Sequence, residues 1–261
     1  ETFGFIMKKS FKPYRDELFV STKAGYDMWP GPYGNWGSRK SLMASLDQSL
    51  VRMALDYVDV FYSHRYDPET PLEETMQALV DIVRQGKALY VGLSRYPADK
   101  AEEAYRYLEA RDVHCLLYQG RYNLFDRAPE EEGILGQARA YGVGFIAFSP
   151  LAQGLLTSRY LQGVPEDSRM AQGRFLKREV LTEAVLEKIK ALDRVAAERG
   201  QTLAEMSLAW VLKDELVTSV IIGASSVAQL EDNLKALRKV DFSREELDRI
   251  EAICHTPDGG Q

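Results

Sequence analysis

Short apolar runs alternate with amphipathic stretches along nearly the whole chain, and this alternation constrains the fold more than any other feature. The runs fall at 18–22, 58–62, 88–93, 115–118, 143–148 and 217–222. They are largely apolar throughout rather than at every second residue, the pattern of strands covered on both faces. Between them lie helical stretches. Ser38 caps one whose inner face is Leu42, Leu46, Leu50 and Met53, at helical spacing. Thr70-Pro71-Leu72-Glu73 reads as a capping box with proline in the first turn. It opens a helix that buries Met76, Leu79, Val80 and Val83 and stops at Gly86. Further helices are expected at 97–110, 130–141, 183–199, 203–213, 227–237 and from Ser243 to about Cys254. Thr202-x-x-Glu205 and Ser243-x-x-Glu246 cap two of them.

Such alternation dictates an α/β fold of parallel strands joined by helical crossovers. Six strand–helix units are present. A closed (β/α)8 barrel needs eight. The pattern therefore leaves an open six-stranded sheet, or a barrel whose first two units precede residue 1. Residues 1–9 read as the tail of a helix, which favours the barrel. No composition break marks a boundary, so 1–261 is expected as a single domain. The segment 149–181 is the one long polar stretch, of a length that in compact domains belongs to functional lids or disordered segments.

The net charge is −6 and the two signs are interleaved, which argues against nucleic acid as the main partner. Two cysteines, Cys115 and Cys254, lie far apart without a CxxC, as in a reduced cytoplasmic protein. No apolar run approaches the roughly 20 residues that span a bilayer. No charged-then-apolar leader opens the sequence.

Two strand ends carry chemistry. Lys23 closes the first run and His64 the second, and the C-terminal tips of parallel barrel strands converge on one mouth. A lysine there is a Schiff-base nucleophile or a cation that lowers a neighbouring acid's pKa. The bland reading of each is a solvated lysine and a structural histidine. With three histidines in all and no pair at ligand spacing, no metal site is expected. Gly142-Val143-Gly144-Phe145-Ile146-Ala147 matches GxGxxA, but it leaves a helix and enters a strand, the reverse of a dinucleotide fingerprint. Gly223-Ala224-Ser225-Ser226 does leave a strand and open a helix, where free amides attract phosphate. Arg159, Arg169 and Arg174 in or near the long polar segment are candidate phosphate donors. Trp29, Tyr33 and Trp36 follow Lys23 and either line the substrate side or pack the loop on itself.

Several blocks in this order resemble the aldo-keto reductase superfamily from end to end. They are Ser21-Thr22-Lys23, Leu55-Asp56-Tyr57-Val58-Asp59-Val60 running into Ser63-His64-Arg65, and Gly86-Lys87-Ala88-Leu89-Tyr90-Val91-Gly92-Leu93-Ser94. Further along come Gln119-Gly120-Arg121-Tyr122-Asn123, Phe148-Ser149-Pro150-Leu151-Ala152-Gln153-Gly154 and the run from Gly223 to Asn233. The chain looks most like the branch of bacterial glyceraldehyde-3-phosphate (methylglyoxal) reductases and potassium-channel β subunits; the segment Tyr26 to Gly34 points to the reductases.

The resemblance implies a (β/α)8 TIM barrel that holds NADPH/NADP+ across its mouth and reduces small aldehydes. Ser94 and Gln119 would hold the nicotinamide carboxamide and Phe148 would stack on the ring. Ser149, Pro150, Leu151 and Gln153 would lie along the pyrophosphate. Arg159, Arg169, Gly223 and Ser225 would meet phosphates, and Gln229, Asp232 and Asn233 the adenine end. Lys23 would lower the pKa of a protonating tyrosine, and His64 would position the carbonyl. The family's tyrosine, and the aspartate paired with its lysine, belong to a part of the pattern upstream of residue 1. Either two units of about 30 residues each, some 60–70 residues, precede it, or the barrel is open and no reductase activity is expected. Tyr14 and Asp16 do not match that pattern. Two other readings remain at this point: a cofactor-binding partner subunit with little turnover, and a Schiff-base aldolase using Lys23. The subunit number, including a homo-oligomer, stays open.

Overall fold

The computed structural model describes residues 1–161 and 178–255. The chain divides into two compact units, one of residues 1–120 with 132–145, the other of 121–131 with the chain from 146 onward.

The first unit opens with a short helix, α1 (Thr2–Ile6). β1 (Ser21–Ala24), β2 (Val58–Ser63), β3 (Ala88–Ser94) and β4 (Cys115–Arg121) then pair in parallel with their neighbours. The register sets Lys23 beside Tyr62, Tyr62 beside Gly92, and Ser94 beside Gln119. Every residue of β2 is buried, as an apolar run in a parallel sheet requires. Gly92 lets Tyr62 lie flat on β3: a Cβ at 92 would stand 2.5 Å from the Tyr62 ring. The crossovers are α2 (Arg39–Met53), α3 (Leu72–Arg84) and α4 (Ala98–Glu109). Ser38 caps α2 as expected, its Oγ accepting from the Ser41 amide at 3.3 Å. Leu42 and Leu46 are fully buried, Leu50 nearly so and Met53 partly.

Four sequence expectations shift here. β1 begins at Ser21, so Lys23 is the third residue of a four-residue strand instead of following one. The cause is Asp59, whose carboxylate takes the Val20 amide at 2.7 Å and pairs with Arg15 at 2.9 Å, so the ladder starts only at Ser21. Thr70 does not cap α3; the cap is Pro71, and the Thr70 hydroxyl donates to Asp67 Oδ2 at 2.6 Å. Ile82 is fully buried in α3 and Val83 only partly. The helix expected at 130–141 is two pieces, α5 (Ala128–Glu131) and α6 (Ile134–Ala140), parted by Gly133 at φ +76°.

In the second unit β5 (Gly144–Phe148) pairs with β6 (Ser219–Ile221), Phe148 opposite Ile221. α7 (Glu183–Glu198), α8 (Leu203–Val211), α9 (Val227–Leu234) and α10 (Arg244–Cys254) follow the expected pattern. α9 gives way to a tighter turn at Lys235–Arg238 instead of running to 237. Both sequence-read capping boxes, Thr202 with Glu205 and Ser243 with Glu246, are formed. Trp210 is buried against Tyr122, and Arg127 ties Glu130 and Glu251 together beside them. Among the described residues no helix is long and apolar enough to cross a membrane.

Candidate active site

In the first unit the ends of β1 and β2 lie side by side. The His64 amide, one position beyond the end of β2, donates at 2.8 Å to the carbonyl of Ala24, the last residue of the strand that bears Lys23. Lys23 is half-buried, with its Nζ 5.2 Å from the Tyr62 ring centroid, and burial lowers its pKa. His64 is pushed down to about 4 by burial first, then by the positive charges of Lys23, Arg95 and Arg65. It is therefore neutral at physiological pH, able to donate one hydrogen bond and accept another. Burial also pushes the Tyr62 phenol up, so that ring stays uncharged beside Lys23.

The loop after β1 packs on the end of β2. Gly25, at φ +139°, passes so close that a Cβ there would stand 3.3 Å from the His64 Cβ. Tyr26 stands edge-on to the imidazole, with ring centroids 4.7 Å apart. Arg65 lies over Tyr26 and Trp36, and Arg95 donates to the Tyr26 hydroxyl at 3.0 Å. Of the aromatic residues read from the sequence, Tyr33 and Trp36 are exposed and Trp29 is half-buried. Lys40 sits over the Tyr33 ring and Arg65 over Trp36. Ser94 and Gln119, paired in register on β3 and β4, are both buried. Among the described residues Gln119 Oε1 has no partner, which leaves a buried acceptor for an N–H donor.

The second unit contains a cleft of about 870 Å3. Phe148, Ser149, Pro150, Leu151, Gln153, Arg159, Gly223, Ser225 and Gln229, all read from the sequence, line it. Gly154, Thr157, Tyr160, Ile221, Ile222 and Ala224 line it as well; none of these was assigned a role of its own from the sequence. The chain along one wall takes left-handed turns at Ser149, Ala152, Gln153 and Gly154. Opposite it, Ser226 caps α9, and Gln229 Oε1 accepts from both the Ser225 amide (2.7 Å) and the Ser225 hydroxyl (2.9 Å). Its size suits a nucleotide-like ligand. Asn233 is buried with its Nδ2 unpartnered, and Asp232 pairs with Lys235 at 2.5 Å; neither lines the cleft. Arg169 and Arg174 lie outside the described residues.

Gly25, Tyr26, Arg65 and Arg95 were not assigned roles from the sequence. Arg65 follows His64 directly, a signal that was present. What it touches depends on residues 25–36, distant in sequence. Both thiols are free, and burial raises Cys115 to about 12 and Cys254 to about 11, so neither is a nucleophile at neutral pH. Among the described residues no group of three His, Cys, Asp or Glu side chains could hold a metal.

Parallel strands with chemistry gathered at their C-terminal ends define an α/β enzyme class. A family model described as the aldo/keto reductase family matches residues 1–255, and the chain belongs to that family of oxidoreductases. It is 52% identical over 263 residues to the L-glyceraldehyde 3-phosphate reductase of Escherichia coli (strain K12), covering 99% of this chain and 75% of that protein. It is 38% identical over 249 residues to a probable voltage-gated potassium channel subunit beta of Oryza sativa subsp. japonica, covering 93% and 75%. A putative channel subunit beta of Schizosaccharomyces pombe is 32% identical, at 96% and 76% coverage.

Proposed function

We propose that this protein is a cytoplasmic NADPH-dependent reductase of small aldehydes, of the glyceraldehyde 3-phosphate or methylglyoxal kind. The observation that carries the reading is a neutral imidazole, His64, beside the half-buried ammonium of Lys23 at adjacent strand ends. A neutral imidazole donates a hydrogen bond to a carbonyl oxygen without itself losing a proton. A nearby ammonium stabilises the anion of a proton-donating phenol. His64 therefore orients the carbonyl, and Lys23 tunes the acid that protonates its oxygen.

The residues present suit a dinucleotide. In the first unit, the orphaned Gln119 oxygen and the neighbouring Ser94 would hold a nicotinamide carboxamide. In the second, Ser149, Pro150, Leu151 and Gln153 would lie along a pyrophosphate. Gly223, Ser225, Arg159 and Arg169 would meet phosphates, the 2′-phosphate included, and Gln229, Asp232 and Asn233 the adenine end. Phe148 offers an aromatic face. When bound, the dihydronicotinamide supplies the hydride that reaches the carbonyl carbon. Trp29 and Tyr33 border the aldehyde side.

The test is steady-state consumption of NADPH with methylglyoxal and with glyceraldehyde 3-phosphate. Turnover is expected, and it falls about 100-fold or more in Lys23→Met and in His64→Ala. The potassium-channel relatives favour a second reading, a cofactor-binding partner subunit. Tight NADPH binding without turnover would establish it and end the first.

A further inference from the structure

Arg65 joins the loop after β1 to the end of β2. Its Nε donates to the Gly25 carbonyl at 2.7 Å, where the loop begins, and its Nη2 donates to Asn35 Oδ1 at 2.8 Å, where the loop ends. The guanidinium also stacks on the rings of Tyr26, 4.2 Å to the centroid, and Trp36, 3.5 Å. A carbonyl, an amide and two rings are all neutral, so these contacts hold the loop without cancelling the charge. Only a planar fork satisfies two acceptors and stacks at once; a lysine in this place would make one contact or the other.

The loop so pinned delivers Tyr26 edge-on to His64 at 4.7 Å. At its start, Gly25 runs within 3.3 Å, measured from an ideal Cβ, of the His64 Cβ. A loop this close transmits its own displacement to the imidazole. We propose that Arg65 is a positioning residue that, through the Tyr26 ring, sets the orientation of the His64 imidazole for the carbonyl. For its kinetic consequence this rests on the reductase reading above; for its structural consequence it does not.

The groups that face His64 are Lys23 from β1, Tyr26 from the loop, Arg65 beside it and Arg95 after β3. Arg65 thus acts on the imidazole in two separable ways, as a fork that places Tyr26 and as a like charge.

The experiment follows the His64 imidazole by NMR titration in the intact protein, its signal assigned with His64→Asn, alongside kcat and KM for methylglyoxal. The variants are Arg65→Met, Arg65→Lys, Tyr26→Leu and the double variant Arg65→Met/Tyr26→Leu. In Arg65→Met the His64 midpoint is expected to rise from about 4. Its kcat/KM falls about tenfold. Arg65→Lys restores the midpoint but not kcat/KM. Arg65→Met and Tyr26→Leu lower kcat/KM non-additively, because one acts through the other. A midpoint and kcat/KM unchanged in Arg65→Met overturn the proposal. So do additive effects, or a lysine variant that restores both quantities, which would assign the role to charge alone. If Arg65→Met does not fold, Arg65→Lys with Tyr26→Leu closes the same cycle. If the protein shows no turnover, a loss of ring contact between Tyr26 and His64 in Arg65→Lys, seen as a lost nuclear Overhauser effect, supports the proposal, and a retained contact overturns it.

Discussion

His64 links folding to pH. Its pKa is about 4 in the folded chain against an ordinary 6.5, because burial and three nearby cations disfavour the imidazolium. Below 6.5 the unfolded chain takes up a proton that the folded chain refuses. The stability this residue contributes is therefore complete above pH 6.5 and is lost progressively as pH falls towards 4. Thermal melts of the wild type should lose Tm across that window more steeply than those of His64→Asn, which has no such group. Equal slopes would mean that the imidazole is solvated. The depressed lysine pKa at position 23 has the same sign, with a window that opens near 10.5 and below.

The caps of α8 and α10 set the strength of the second unit's helices. Ser243 Oγ accepts from the Glu246 amide at 3.1 Å, and Glu246 Oε2 accepts from the Ser243 amide at 2.7 Å. Glu246 also pairs with Arg199 at 2.7 Å, a guanidinium whose side chain is 1% exposed. The two residues of this box therefore differ in importance. Ser243→Ala removes one capping bond and should destabilise by about 1 kcal/mol. Glu246→Ala also strips the carboxylate from a buried arginine and should destabilise by about 2–4 kcal/mol. Chemical denaturation of the two variants measures both values. Equal losses would show that the carbonyls of Lys239 and Asp241, which also accept from Arg199, suffice to hold it.

On the scale of the whole molecule, a cofactor that binds only the folded chain must raise its melting temperature. If the proposed reading holds, NADPH at a hundredfold excess over its dissociation constant should stabilise by about 2.7 kcal/mol, or about 5–10 °C for a chain of this size. NADH should give a smaller shift if Arg159, Arg169 and Ser225 read the 2′-phosphate. Arg159→Ala should then cut the NADPH shift and leave the NADH shift unchanged. Equal shifts with both nucleotides, in wild type and variant alike, would remove these residues from phosphate recognition.

Much of this molecule is local and therefore legible. Strand runs, helix faces and the caps at Ser38, Thr202, Ser226 and Ser243 each depend on a few consecutive residues, and all four caps form as the residue types dictate. Lys23 and His64 were likewise readable as candidates, because strand ends announce themselves within a few positions; the line from Phe148 to Gln153 was legible only through its resemblance to the aldo-keto reductases. The departures at β1 and the contacts of Arg65 come from partners about thirty to forty residues away, whereas Thr70 turns to Asp67 three residues back and the 130–141 helix parts at Gly133 itself. Asp59 sets where β1 begins by bonding the Val20 amide, and Arg65 binds Gly25 and Asn35. The neutrality of His64 comes first from burial and then from the cations Lys23, Arg95 and its own neighbour Arg65, two of them brought in from other strands. Periodicity and capping are short-range chemistry, written in consecutive residues. Which carboxylate takes which amide, and which charge faces which ring, is decided only when distant segments are brought together, because hydrogen bonds and desolvation act over a few ångströms of space and not along the chain.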